Sequence, residues 1–238
     1  SPFMEEEVII CAVRATATSP VSSQIINNES IKRQNHGKDM PYLLEHSVSV
    51  ITTSDAGNGM GYTSMRIRGT DMTRINVTIN GIPLNDAESQ NVFWVDLPDL
   101  ASSTGSVQVQ RGVGTSTNGA GAFGASVNIS SLIPPVEPGA SAEMSYGSFN
   151  TSRLSAKAWT GMLGDRFSMI VRASDIHSDG YIDHSSADIR SATVSGLWSG
   201  PSDMIRFKVI TGSQKTGISW WGVPAETLPE NRRYNPAG

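Results

Sequence analysis

From Ala140 onward the sequence alternates. Ala142, Met144 and Tyr146 share one face of an extended segment, opposite Ser141, Glu143 and Ser145. The pattern recurs four more times. Leu154, Ala156 and Ala158 oppose Arg153, Ser155 and Lys157, and Phe167, Met169, Val171 and Ala173 oppose Ser168, Arg172 and Ser174, with Ile170 out of phase. Ala192, Val194, Gly196 and Trp198 oppose Ser191, Thr193 and Ser195, and Ile205, Phe207 and Val209 oppose Arg206 and Lys208. Side chains of a strand point alternately to its two faces, so each segment predicts a strand with one apolar and one polar side. About five strands of roughly ten residues each are expected.

Their connections differ in length. Residues 147–151, 161–165 and 200–203 are short turns, whereas 175–188 reads as a longer loop and 212–238 as an irregular stretch with no strand after it. Short turns at one end and longer loops at the other suit a membrane barrel. Strands of a soluble β-sandwich alternate in the same way, and periodicity alone does not separate the two.

The part before Pro134 has a different grammar. Asn27-Asn28-Glu29-Ser30 looks like a helix start with Asn28 or Ser30 as cap, and Asp39-Met40-Pro41 offers a second one. Met65–Arg68, Ile75–Ile79 and Val107–Gln110 read as strands, Asn80-Gly81 as a hairpin turn, and the residues from Asp96 as another short helix. Gly119, Gly121 and Gly124 form a G-x-G-x-x-G, which raises the question of a dinucleotide site. Such a site needs a helix opening on the glycines to carry the phosphates. Here they run into Ala125–Ser130, an alternating strand, so the glycines are structural.

Bulk properties exclude further classes. A net charge of −4 offers no electrostatic footprint for nucleic acid. The lone Cys11 excludes an intramolecular disulfide and a cysteine zinc cage. No apolar run approaches the roughly 18–20 residues of a membrane helix. The acidic start, Ser1-Pro-Phe-Met-Glu-Glu-Glu7, lacks the positive charge of a secretory leader, which leaves a cytosolic chain or a mature or truncated one. Asp175 to Asp183 imitates a calcium loop, but His177 and Ser186 stand where carboxylates are needed. No metal, cofactor or catalytic constellation is expected, and the chain does not read as an enzyme.

Two stretches then add up to a family. "SMRIRGTDMTRINVTINGIPLNDAESQNVFWVDLPD" and, further on, "VQVQRGVGTSTNGAGAFGASVNIS" resemble the plug domain of TonB-dependent outer-membrane receptors, in particular the Bacteroidetes-type branch. Arg68-Gly69, the Gly81 turn, Arg111-Gly112 and the Gly119–Gly124 loop fall in the family's order and spacing. Asn80, Asn118 and Ala125 depart from its usual Asp, Tyr and Gly.

The resemblance implies an α+β plug domain followed by antiparallel strands of an incomplete transmembrane β-barrel, part of a plugged barrel of 22 strands and therefore of a longer chain. On that basis residues 1–13 form an N-terminal segment, 14–133 the plug, 134–139 a proline-rich linker and 140–238 the first part of the barrel. It further implies active uptake of a scarce ligand across the outer membrane of a Gram-negative cell: an iron chelate, haem, cobalamin or an oligosaccharide. Glu7, Val8, Ile9 and Ile10 match the position of the TonB box, which adds as a strand to the periplasmic domain of TonB. Ligand contacts are expected from Asn58, Met60 and Tyr62, from Asp86, Glu88, Gln90, Phe93 and Trp94, and from Trp220 and Trp221. Arg68 and Arg111 are expected to be buried in the plug against carboxylates of the barrel. Lys157, Arg172, Arg206 and Lys208 would face the lumen. Outer-membrane lipid and a surface lipoprotein complete the candidate partners. The alternatives are a receptor that also signals to a sigma-factor regulator and a soluble ligand-binding β domain.

Overall fold

The computed structural model describes residues 14–15, 21–113 and 122–237. The first unit is built on a five-stranded mixed sheet. Its strands are β1 (Ser22–Asn27), β4 (Ile75–Ile79), β5 (Ile82–Pro83), β6 (Thr104–Arg111) and β7 (Ala125–Ser131), in the order β1-β6-β7-β4-β5. Only β4 and β7 run parallel. A hairpin of β2 (Val50–Ser54) and β3 (Thr63–Ile67) stands apart from it. Among the described residues the unit also holds two helices, α1 (Asn28–Gln34) and α2 (Met40–Leu43), and 3₁₀ turns at Met72–Arg74, Trp94–Asp96 and Leu100–Ser103.

Local chemistry explains these boundaries. Asn27, one residue earlier than the sequence suggests, caps α1 by accepting from the Ser30 amide at 3.0 Å. Asn80 and Gly81 both have positive φ, as a two-residue hairpin between β4 and β5 requires. On one face of the sheet Ile75, Val77, Val107, Val109, Val127 and Ile129 pack with Ile31, Met40, Leu43, Met65 and Trp94 into a single core. Each such side chain contributes about 1.5–3 kcal/mol by leaving water. Gly124 answers the question of the glycine motif: a Cβ there would lie 2.0 Å from the Thr70 hydroxyl, so the chains approach too closely for any side chain. Gly119 and Gly121 lie outside the described residues.

The second unit is a five-stranded antiparallel sheet of sequential neighbours: β8 (Gly139–Gly147), β9 (Thr151–Trp159), β10 (Phe167–Ser178), β11 (Ala187–Ser199) and β12 (Met204–Thr216). Strands β10 and β11 reach further than their sequence suggests, absorbing both ends of the expected 175–188 loop. Asp175 pairs with Arg190 and His177 with Asp188 across the ladder, at 2.9 and 2.7 Å, which keeps these polar tips extended.

The orientation of this sheet is decisive. Its polar face is buried and its apolar face is open. Arg172 and Ser174 are 5% and 8% exposed, against 38%, 40% and 56% for Val171, Phe207 and Val209. In-register rows make the division plain. Ala140, Ala158, Val171, Val194 and Val209 form one row of the outer face, while Ser141, Lys157, Arg172, Thr193 and Ile210 form a row of the inner face. A soluble sandwich would bury the first row and wet the second. A membrane wall does the opposite. The inner face lies against the first unit.

Candidate functional site

The two units meet around one guanidinium. Arg172 projects inward from β10, and its five N–H groups all find oxygen. Nε donates to Ser103 Oγ at 2.8 Å; Nη1 donates to Asp99 Oδ2 at 2.6 Å and Ser174 Oγ at 2.8 Å; Nη2 donates to Ser191 Oγ at 2.7 Å and Thr193 Oγ1 at 3.2 Å. Asp99 approaches from the first unit, held at φ +50 ahead of the Leu100–Ser103 turn. Its other oxygen accepts from Ser102, whose hydroxyl in turn accepts from Asn35 of the first unit and from Arg153 of β9. A buried ion pair persists only when its remaining donors and acceptors are satisfied, and here they are. Ser103 to Thr193 and Lys208 to Ser131 extend this polar seam along the sheet.

A second contact lies near the other end of the strands. The loop between β2 and β3 buries Met60 against Ile176, Ala187 and Ile189 of the sheet. Gln214 of β12 donates to the Val95 carbonyl and accepts from the Gly61 amide. At the loop's base, Asp39 receives the Thr63 hydroxyl at 2.8 Å, and its own amide donates to the Gly59 carbonyl. Asp39 occupies the cap position of α2, but its carboxylate serves this loop rather than the helix. Burial pushes that carboxyl up to about 7, against the lowering effect of Thr63. Tyr62 stands half exposed, edge-on to Trp220 with ring centroids 5.9 Å apart, and Trp221 is exposed beside it in sequence.

The expected ligand residues are therefore partly regrouped. Tyr62 and Trp220 come together. Asn58 is half-buried, turned to the Met60 amide at 3.0 Å. Met60 and Trp94, at 3% and 2% exposure, are packing residues and present nothing to a ligand. Asp86, Glu88 and Gln90 form a self-contained exposed turn, in which Asp86 accepts from the amides of Glu88 and Ser89. Phe93 is exposed beyond it. Among the described residues no hydrogen bond or ring contact joins this turn to Tyr62. Glu7, Val8, Ile9 and Ile10 lie outside the described residues.

The two arginines expected in buried ion pairs are not in them. Arg68 is exposed, in a tight turn at φ +52, and Arg111 reaches Ser22 and Gln24 on β1 instead of a carboxylate. The buried pair has the opposite polarity: the sheet supplies the cation and the first unit the carboxylate. Lys157 pairs with Glu143 at 3.7 Å on the inner face, and Arg206 is exposed near its end. Neither Asp99 nor Ser103 stands out in the sequence, because the guanidinium they share, Arg172, lies 73 and 69 residues further on.

Residues 15–126 match the sequence model of the TonB-dependent receptor plug domain. The chain carries a TonB-dependent receptor plug. The strands that follow the plug are the start of its barrel wall, which these five strands do not close. No curated protein matches the chain in sequence. Solved structures similar to it include the ferric citrate transporter FecA in its unliganded form, at 16% identity and a TM-score of 0.72, covering 91% of this chain and 34% of that one. FpvA of P. aeruginosa bound to heterologous pyoverdines shares 17% identity at a TM-score of 0.69, covering 85% and 26%. The ferric yersiniabactin uptake receptor FyuA of Yersinia pestis shares 14% at 0.68, covering 84% and 33%. The chain thus spans between about a quarter and a third of the receptors it resembles.

Proposed function

We propose that this chain is the plug and leading wall of an outer-membrane receptor that takes up a scarce ligand with energy delivered through TonB. The inverted burial of the wall carries the reading: an apolar outer face suits lipid, and a polar inner face holds a plug by hydrogen bonds. Solved relatives named for ferric citrate, pyoverdine and yersiniabactin favour an iron chelate as cargo over haem, cobalamin or an oligosaccharide. Tyr62, Trp220 and Trp221 offer aromatic surface for gripping it, with Asn58 in the same loop as Tyr62 and Phe93, Asp86, Glu88 and Gln90 as a second set. Glu7, Val8, Ile9 and Ile10 are the proposed TonB-pairing strand, whose β-branched core suits strand addition. A surface lipoprotein remains a further candidate partner.

The outer membrane holds no ATP and no ion gradient, so accumulation there needs work from the inner membrane. Uptake by the full-length receptor should therefore stop in cells lacking TonB, while binding of a ferric chelate at the surface persists. Uptake that continues without TonB would overturn the reading.

A further inference from the structure

The plug sheet has a second face, and it is neither apolar nor wet. Gln108, Asn128 and Thr78 line up in one row across β6, β7 and β4, and Gln110, Ser126 and Asn76 in the next. All six are buried, at 0%, 3%, 3%, 1%, 0% and 9% exposure respectively. A sheet face covered by core would read Val and Ile here, as the opposite face does. Amides and hydroxyls are the wrong groups for grease and the right ones for another stretch of main chain.

At Gln108 it is main chain that lies on it. The Gln108 carboxamide takes the Ala15 amide on Oε1 and gives Nε2 to the Ala15 carbonyl, both at 2.8 Å. One side chain thus pairs with both backbone groups of a single residue, as a neighbouring strand would. Next to it the Arg14 guanidinium reaches the carbonyls of Ser106 and Asn128 at 3.3 and 3.0 Å. Gln110 donates to Gln108 Oε1 from behind and fixes the orientation of its amide. Thr78 donates to Asn128 Oδ1 at 2.9 Å, tying the row together.

We propose that this polar face is a docking seat for the chain's own N-terminal segment, with Gln108 as the clasp that holds it through backbone alone. The seat rests on the proposed TonB-driven function only for its purpose, which is to let tension on the N-terminal residues reach β6. Its chemistry stands independently. A clasp that reads backbone is indifferent to the side chain at position 15. A seat lined with amides accepts water in place of the segment, so release needs no exposure of apolar surface. Asn76 Nδ2 and Ser126 Oγ, neighbours across β4 and β7, are buried with no hydrogen-bond partner among the described residues, and both would gain one from water once the segment leaves.

Hydrogen exchange on the full-length receptor tests this directly. In Gln108→Leu the Ala15 amide should exchange at least tenfold faster, while the amides of Val107 and Val109 remain protected and report an intact sheet. Gln108→Glu keeps an acceptor for the Ala15 amide but loses the donor to its carbonyl, and should fall between. If Gln108→Leu does not fold, Ala15→Pro removes the clasped amide without touching the sheet. Force applied to the N-terminus should then find the first yielding event at lower tension than in the wild type. Unchanged Ala15 exchange in Gln108→Leu, or an unchanged first event in Ala15→Pro, overturns the seat. A receptor whose uptake is independent of TonB would overturn the transport reading and leave these results as they stand.

Discussion

Arg172 of the wall donates to Asp99 of the plug at 2.6 Å, and neither side chain is more than 3% exposed. The pair spans the boundary between the two units, within a seam of hydroxyls, carboxamides and guanidinium groups.

Removing one partner should be far worse than removing both. Arg172→Met strands a buried carboxylate, and the plug should lose about 3–5 kcal/mol of stability. Asp99→Leu combined with Arg172→Met should recover most of that loss. Chemical unfolding of the full-length receptor, followed by plug tryptophan fluorescence, gives the double-mutant cycle. Equal losses in the single and double variants would show that the pair is incidental.

The outward row of the wall should reject charge. Arg at position 171 or 209 should cost about 2–4 kcal/mol if those sites face the middle of a bilayer. Folded yield into lipid vesicles measures this for Val171→Arg and Val209→Arg. Since both valines are substantially exposed in the isolated fold, tolerance of both changes would mean that no lipid covers them.

Asp39 makes the loop at residues 55–62 sensitive to pH. Its carboxyl is raised from 3.8 to about 7 in the folded plug, so the folded state holds its proton over that interval and the unfolded state does not. The contribution is complete below pH 3.8 and is lost as pH rises toward about 7, beyond which it stays flat. Amide exchange in the loop, corrected for its intrinsic pH dependence, should therefore quicken from about pH 4 to about pH 7 in the wild type and level off above. Asp39→Asn should be flat over the same range.

Gly124→Ala should force the plug apart locally. The added methyl would meet the Thr70 hydroxyl and Cβ at 2.0 and 2.7 Å, and overpacking of this kind costs about 1–3 kcal/mol. Thr70→Ala removes the nearer atom and should rescue part of the loss, measured by the same unfolding experiment.

Tyr62→Ala and Trp220→Ala should each weaken cargo binding about fivefold, the effect of losing one aromatic face. Trp94→Ala should instead lower the yield of folded receptor and leave the affinity of the folded fraction alone, because that ring is in the core. Titration of a ferric chelate against purified receptor separates the two outcomes.

The wall strands were legible because a two-residue period survives any environment; which face meets lipid was not, since the same alternation builds a sandwich. Strands β1 and β2, SSQIIN and VITTS, escaped because they are short and largely polar. The Asn80-Gly81 hairpin could be read because backbone geometry itself dictates those residues, and the glycine at position 124 because the strand after it leaves no helix to carry a phosphate. Arg68 and Arg111 misled for the opposite reason: a position in a motif says nothing about what stands across from it. Asp99 meets Arg172 over a separation of 73 residues, and only the assembled seam reveals it. Gln108 looked like one polar residue of an ordinary alternating strand, and its meaning comes from Ala15 lying on it.

Around Arg172 the seam along the wall's inner face consists of serines, threonines and a few cations, and among the described residues aliphatic contact is confined to Ile210 and to the patch at Met60. Displacing the cork along such a surface trades one oxygen partner for the next, with water filling in between. Resistance to such a displacement would come in small steps, with the largest where the Arg172 guanidinium gives up its oxygens.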